Sequence, residues 1–102
     1  MTDIEQFKII INDLADRKGW MKDQVWLMYS LFKEVGELCN AIEHNESEEV
    51  IGSEYSDVMH FLTQLMIVKA PSINLDHALH QKIFSNEARK KKTYQDGEFV
   101  RK

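Results

Sequence analysis

Apolar residues recur at three- and four-residue intervals along most of the chain, the period of helices that bury one face. Ile4, Phe7, Ile10, Ile11 and Leu14 predict a first helix over about residues 3–18. Thr2 or Asp3 can cap its start, and Gly19 ends it, with Arg17 and Lys18 in the last turn where cations are favoured. Val25, Met28, Leu31, Phe32, Val35, Leu38, Cys39 and Ile42 predict a second helix with a broad apolar face over about residues 22–44. A third is expected after Asn45, where Asn45 and Glu48 form a capping-box pattern, and runs to about Lys69, stopped by Pro71. Its apolar side is Val50, Ile51, Val58, Phe61, Leu62, Leu65 and Met66. The fourth starts near Asn74 and runs to about Lys92, with Leu75, Ala78, Leu79, Ile83 and Phe84 expected to face inward. Beyond it, residues 93–102 hold the turn signal Asp96-Gly97 and predict a tail or a small hairpin.

Short connections favour antiparallel neighbours, so the expected fold is all-α, a four-helix bundle-like domain over residues 1–92. A chain of 102 residues makes one domain. Its surface is large for its volume, so a second copy is expected to complete the core. The single Cys39 excludes a disulfide framework within the chain and a cysteine zinc site, and is expected to be a small core residue. No basic segment followed by an apolar run opens the sequence, and no apolar stretch approaches the roughly 20 residues that span a bilayer. A cytoplasmic protein with no membrane partner is expected.

Net charge is −4, which argues against nucleic acid as a partner. The basic residues bunch late, at Lys82, Arg89, Lys90, Lys91, Lys92, Arg101 and Lys102; the acidic ones bunch centrally, from Glu34 to Asp57. An anion meeting that acidic centre needs a positive mediator, and a divalent metal is the natural one.

Two acidic pairs carry the candidate chemistry: Glu34 with Glu37, and Glu54 with Asp57. Each is spaced i, i+3, so its members project from one helix face about 4.5 Å apart along the axis. Leu31, Val35 and Leu38 flank the first pair, and Val58, Phe61 and Leu62 the second, which sets the acids at the edge of the apolar stripe. If the second and third helices pack antiparallel, the four carboxylates converge. Their repulsion in a half-buried site then calls for a hard divalent cation such as Mg²⁺, which takes oxygen ligands. The plain alternative is two pairs of surface acids on amphipathic helices.

Glu34-Val-Gly-Glu37-Leu followed by Glu54-Tyr-Ser-Asp57-Val-Met resembles the MazG-like nucleoside triphosphate pyrophosphohydrolases, all-α enzymes with Glu-x-x-Glu and Glu-x-x-Asp on adjacent helices. Trp20-Met-Lys22-Asp-Gln24 resembles a tryptophan-led segment before the first acidic motif, and Lys82-x-x-x-Asn86-x-x-Arg89 resembles the family's late helix. The resemblance covers roughly residues 7–90. It implies a Mg²⁺-dependent enzyme, with Mn²⁺ as a substitute metal, that cuts an NTP or dNTP to the monophosphate and pyrophosphate in nucleotide-pool house-cleaning. It also implies Glu34, Glu37, Glu54 and Asp57 as metal ligands and catalytic residues, with Lys82, Asn86 and Arg89 approaching the triphosphate. Trp20 and Trp26 are candidates for stacking on the base, or else for core packing. A homodimer or homotetramer is implied as well.

Two positions depart from the family pattern. Many members carry a second glutamate where Lys33 stands, and some a tyrosine where Phe61 stands. Lys33 is a candidate phosphate contact or a solvent lysine, and Phe61 lines the nucleotide side without a hydroxyl. These departures keep a second class of function open: a non-catalytic nucleotide- or metal-binding helical oligomerisation module. His60, one turn from Asp57, is a candidate lining residue. His77 and His80 are spaced i, i+3, but no third zinc ligand is placed by spacing. No glycine-rich phosphate loop and no serine or cysteine nucleophile motif is present.

Overall fold

The computed structural model describes residues 3–20, 22–89, 92–95 and 98–101. Four helices follow one another: α1 Ile4–Lys18, α2 Gln24–Glu43, α3 Glu48–Lys69 and α4 Leu75–Ala88. Two short strands, β1 Lys92–Gln95 and β2 Glu98–Arg101, then pair antiparallel with Lys92 opposite Arg101 and Gln95 opposite Glu98. The expected fourth helix therefore stops short of Lys92, which begins β1 instead. The turn expected at Asp96-Gly97 lies outside the described residues.

Local chemistry explains the helix boundaries. Asp3 caps α1 by accepting the Gln6 N–H at 2.7 Å, and Gly19 closes it in the left-handed region at φ 65°, a conformation that suits a residue without Cβ. Asp23 caps α2 through the Trp26 N–H at 2.8 Å, and Asn74 caps α4 through the His77 N–H at 2.8 Å. Each such cap is worth about 0.5–2 kcal/mol. The expected Asn45 cap is corrected: Asn45 sits at φ 53° just past α2, and Ser47 caps α3 by accepting the Val50 N–H at 3.2 Å. An asparagine tolerates the left-handed region better than most residues, so it serves the helix end rather than the next helix start.

α2 and α3 form an antiparallel pair. Trp26 meets Phe61 and Glu34 meets Glu54, so rising number on one helix matches falling number on the other. α1 packs on α3, and α4 packs on α1 alone among the described elements. Ile11, Ala15, Leu27 and Ala41 are the buried apolar side chains of the described residues, Leu27 fully so. Thr63 and Gln64 are buried with them, although they interrupt the apolar run of α3.

A polar clasp joins α1 to α4. Asp76 accepts the backbone N–H groups of Ile4 and Glu5, each at 3.2 Å, and Glu5 returns the arrangement by accepting the Leu75 N–H at 2.8 Å. Lys8 adds a 3.0 Å bond to the Ile73 carbonyl and a 3.2 Å ion pair with Glu5. Asp76 and Glu5 thereby satisfy helix N-terminal donors that have no partner within their own helices.

Much of the expected apolar face is not covered within one chain. On α4, Leu75 is half-buried, but Ala78, Leu79, Ile83 and Phe84 are exposed, Phe84 at 74%. On α1, Ile10 is exposed; on α2, Val25, Met28, Phe32, Val35, Cys39 and Ile42 are exposed; on α3, Val50 and Leu62 are exposed. The expectation that Cys39 is a core residue is corrected accordingly. Helical periodicity marks a face that favours burial, but it does not say that the same chain covers it. The Cα radius of gyration is 16.5 Å, against about 13 Å for a compact chain of this length. Among the described residues, no helix is long and apolar enough to cross a membrane.

Candidate functional site

Antiparallel packing of α2 on α3 brings carboxylates from both acidic motifs together. Oxygens of Glu34, Glu54 and Asp57 lie within 4.8 Å of one another, a group that could hold a metal ion. Glu34 and Glu54 are half-buried and Asp57 is exposed. Oε2 of Glu34 and Oε2 of Glu54 are both buried with no hydrogen-bond partner among the described residues. A buried carboxylate oxygen without a donor is unfavourable, and two side by side are more so.

The Glu34 carboxyl responds as expected. Burial pushes its pKa up, the adjacent Glu37 adds to this through hydrogen bonding and charge, and the Asp57 charge adds further. Lys33 opposes the rise. Glu37 stands outside the three-carboxylate group and forms a 4.0 Å ion pair with Lys33 at the helix surface.

The two ends of the acidic group open into different environments. Asp57 lines a pocket of about 290 Å³ with Trp20, Trp26, His60, Phe61 and Gln64. Its walls are aromatic: Trp20 and His60 lie 4.8 Å apart between ring centroids, and Trp26 and Phe61 lie 5.9 Å apart edge to face. Burial holds the His60 imidazole below its ordinary pKa, with the Asp57 charge opposing the shift. Glu54 instead lines a polar groove of about 470 Å³ with Lys33, Gly36, Glu37, Asn40 and Glu46.

Trp20, Trp26 and Phe61 thus share one pocket, next to Asp57. Lys33, Glu37 and Glu54 share the groove. Lys82 and Asn86 are exposed on α4, and Arg89 follows that helix, half-buried, donating to Asn86 Oδ1 at 3.2 Å. Within one chain these three are not brought to the acids, because α4 packs on α1 alone among the described elements. Gln64 was absent from the sequence-derived candidates. Its signal was a polar residue seven after Asp57 inside an apolar run, on the face that also carries His60 and Phe61.

In comparisons with known proteins, no family model matches the chain and no curated protein matches it.

Proposed function

We propose that the chain is a cytoplasmic, Mg²⁺-dependent nucleoside triphosphate pyrophosphohydrolase of the MazG-like type, working as a homodimer or homotetramer. Its reaction would cut an NTP or dNTP to the monophosphate and pyrophosphate. The reading rests on one observation above all. Glu34 and Glu54, on separate helices, each have a buried oxygen without a partner among the described residues and join Asp57 in one three-carboxylate group, with an aromatic pocket at Asp57 and a polar groove at Glu54.

The donor set is all oxygen and anionic, which suits a hard divalent cation. Glu34, Glu54 and Asp57 would hold it, with Glu37 alongside Glu34. A bound Mg²⁺ supplies neutralisation of triphosphate charge and a water of lowered pKa. The chain's own residues do the rest. Trp20, Trp26 and Phe61 offer aromatic surface to the base. Lys33 offers a cation in the groove that takes the phosphates. Glu34 or Glu37 accepts the proton of the attacking water. The water oxygen bonds to the α-phosphorus while the bond to the α–β bridging oxygen breaks, and pyrophosphate leaves. Lys82, Asn86 and Arg89 come to the phosphates from the α4 of a second copy, whose exposed apolar side chains pack against the first.

Glu37→Gln and Asp57→Asn are each expected to lower turnover by about 100-fold or more while the helical circular dichroism persists. Full activity in both variants would overturn the assignment.

The Lys33–Glu37 pair favours a second reading, a nucleotide- or metal-binding oligomerisation module without turnover, because it places a cation where further metal-ligating charge would otherwise stand. Tight nucleotide binding with no pyrophosphate released would select that reading.

A further inference from the structure

Gln64 is a buried polar side chain in the wall of the aromatic pocket. Its relative exposure is 5%, and it shares the pocket lining with Trp20, Trp26, His60 and Phe61. A carboxamide set in an aromatic wall can both donate to and accept from a polar group that enters the pocket. Gln64 lies seven residues beyond Asp57 on the same face of α3, about 10 Å along the helix axis. A ligand with phosphates at the acidic end therefore brings its ring, not its phosphates, to Gln64. The flanking walls are Trp20, Trp26 and Phe61, which stack on any flat ring with little preference. Stacking walls hold a ring without choosing it, and a fixed amide with one acceptor and two donors reads its edge.

The geometry points to Gln64 as the specificity-determining residue of this pocket, hydrogen-bonding the polar edge of a nucleobase stacked among the aromatic side chains. The inference rests on the proposed function, and it assigns base selection to one side chain.

The test separates the two. Uridine, cytidine, adenosine and guanosine, which bring no phosphate to the acidic group, are titrated in EDTA, and binding is read from tryptophan fluorescence. Both tryptophans of the chain line the pocket, so stacking is reported directly. The wild type is expected to rank the four bases over at least about tenfold in affinity. Gln64→Met keeps size but removes the hydrogen bonds, so quenching is expected to persist while the ranking narrows to within about threefold. Should the methionine variant lose its helical signal, Gln64→Glu keeps the volume and removes the donors, and it is expected to re-rank the bases by about tenfold. Equal affinities in the wild type, or a wild-type ranking in the folded variants, overturn the role of Gln64 and leave the proposed reaction standing. No quenching of the wild type by any of the four nucleosides overturns the pocket as a base site, and the assignment of Gln64 with it.

Discussion

Glu34 on α2 and Glu54 on α3 belong to the same three-carboxylate group, and each has a buried Oε2 with no hydrogen-bond partner among the described residues. Two packed helices thus carry an unfavourable charge arrangement at their contact. A protein free of divalent cation should be relieved when one charge is removed. In EDTA, Glu34→Gln is expected to unfold at a higher temperature than the wild type. Mg²⁺ at about 100 times its Kd should stabilise the wild type by about 2.7 kcal/mol and the variant by much less. Thermal unfolding with and without Mg²⁺ reads both effects, and a Glu34→Gln protein less stable than the wild type in EDTA would contradict them.

The same carboxyl gives the cation-free protein a pH dependence of definite sign. The Glu34 pKa is raised above its ordinary 4.5, so the folded state holds this proton more tightly than the unfolded state does. Its contribution to stability is fully present below 4.5 and is lost as pH rises through the raised folded value. Denaturant unfolding in EDTA across this range should show a decline with pH that is shallower in Glu34→Gln.

His60 behaves in the opposite sense. Its pKa lies below 6.5 because burial disfavours the imidazolium, while the Asp57 charge partly restores it. Its contribution to stability is present above 6.5 and is lost as pH falls through the lowered folded value. Proton NMR should find His60 titrating below 6.5, and Asp57→Asn should move that titration lower still. An upward move would place Asp57 away from the ring.

Asp76 holds α4 to α1 by accepting the Ile4 and Glu5 N–H groups. Asp76→Ala is expected to cost about 0.5–2 kcal/mol, as loss of a helix cap does. Amide exchange at Ile4, Glu5 and Leu75 should quicken, while that of buried Leu27 on α2 should follow only the global loss. Unchanged exchange at Ile4 and Glu5 would show that the clasp does not hold in solution.

Much of this was legible in the sequence, and the remainder has physical reasons. Helix starts at Asp3 and Asn74 and the stop at Gly19 depend on groups within four residues, so local chemistry fixes them. Both i, i+3 acidic pairs could be read as lying beside the apolar stripe, and antiparallel packing of α2 on α3 brings one member of the first and both of the second together. Partner choice for α4 was not legible: its periodicity marks an apolar face, whereas its docking comes from Asp76 and Glu5, about 70 positions apart. Burial of Gln64 was also hidden, because residue type alone assigns glutamine to the surface.

Pyrophosphate release from a panel of canonical and modified NTPs and dNTPs, in Mg²⁺ and in EDTA, tests the central claim most directly. The account predicts pyrophosphate and the matching monophosphate in equal amounts from at least one nucleotide in Mg²⁺, and none in EDTA. Release of orthophosphate instead, or no product from any nucleotide with the folded protein, would contradict it.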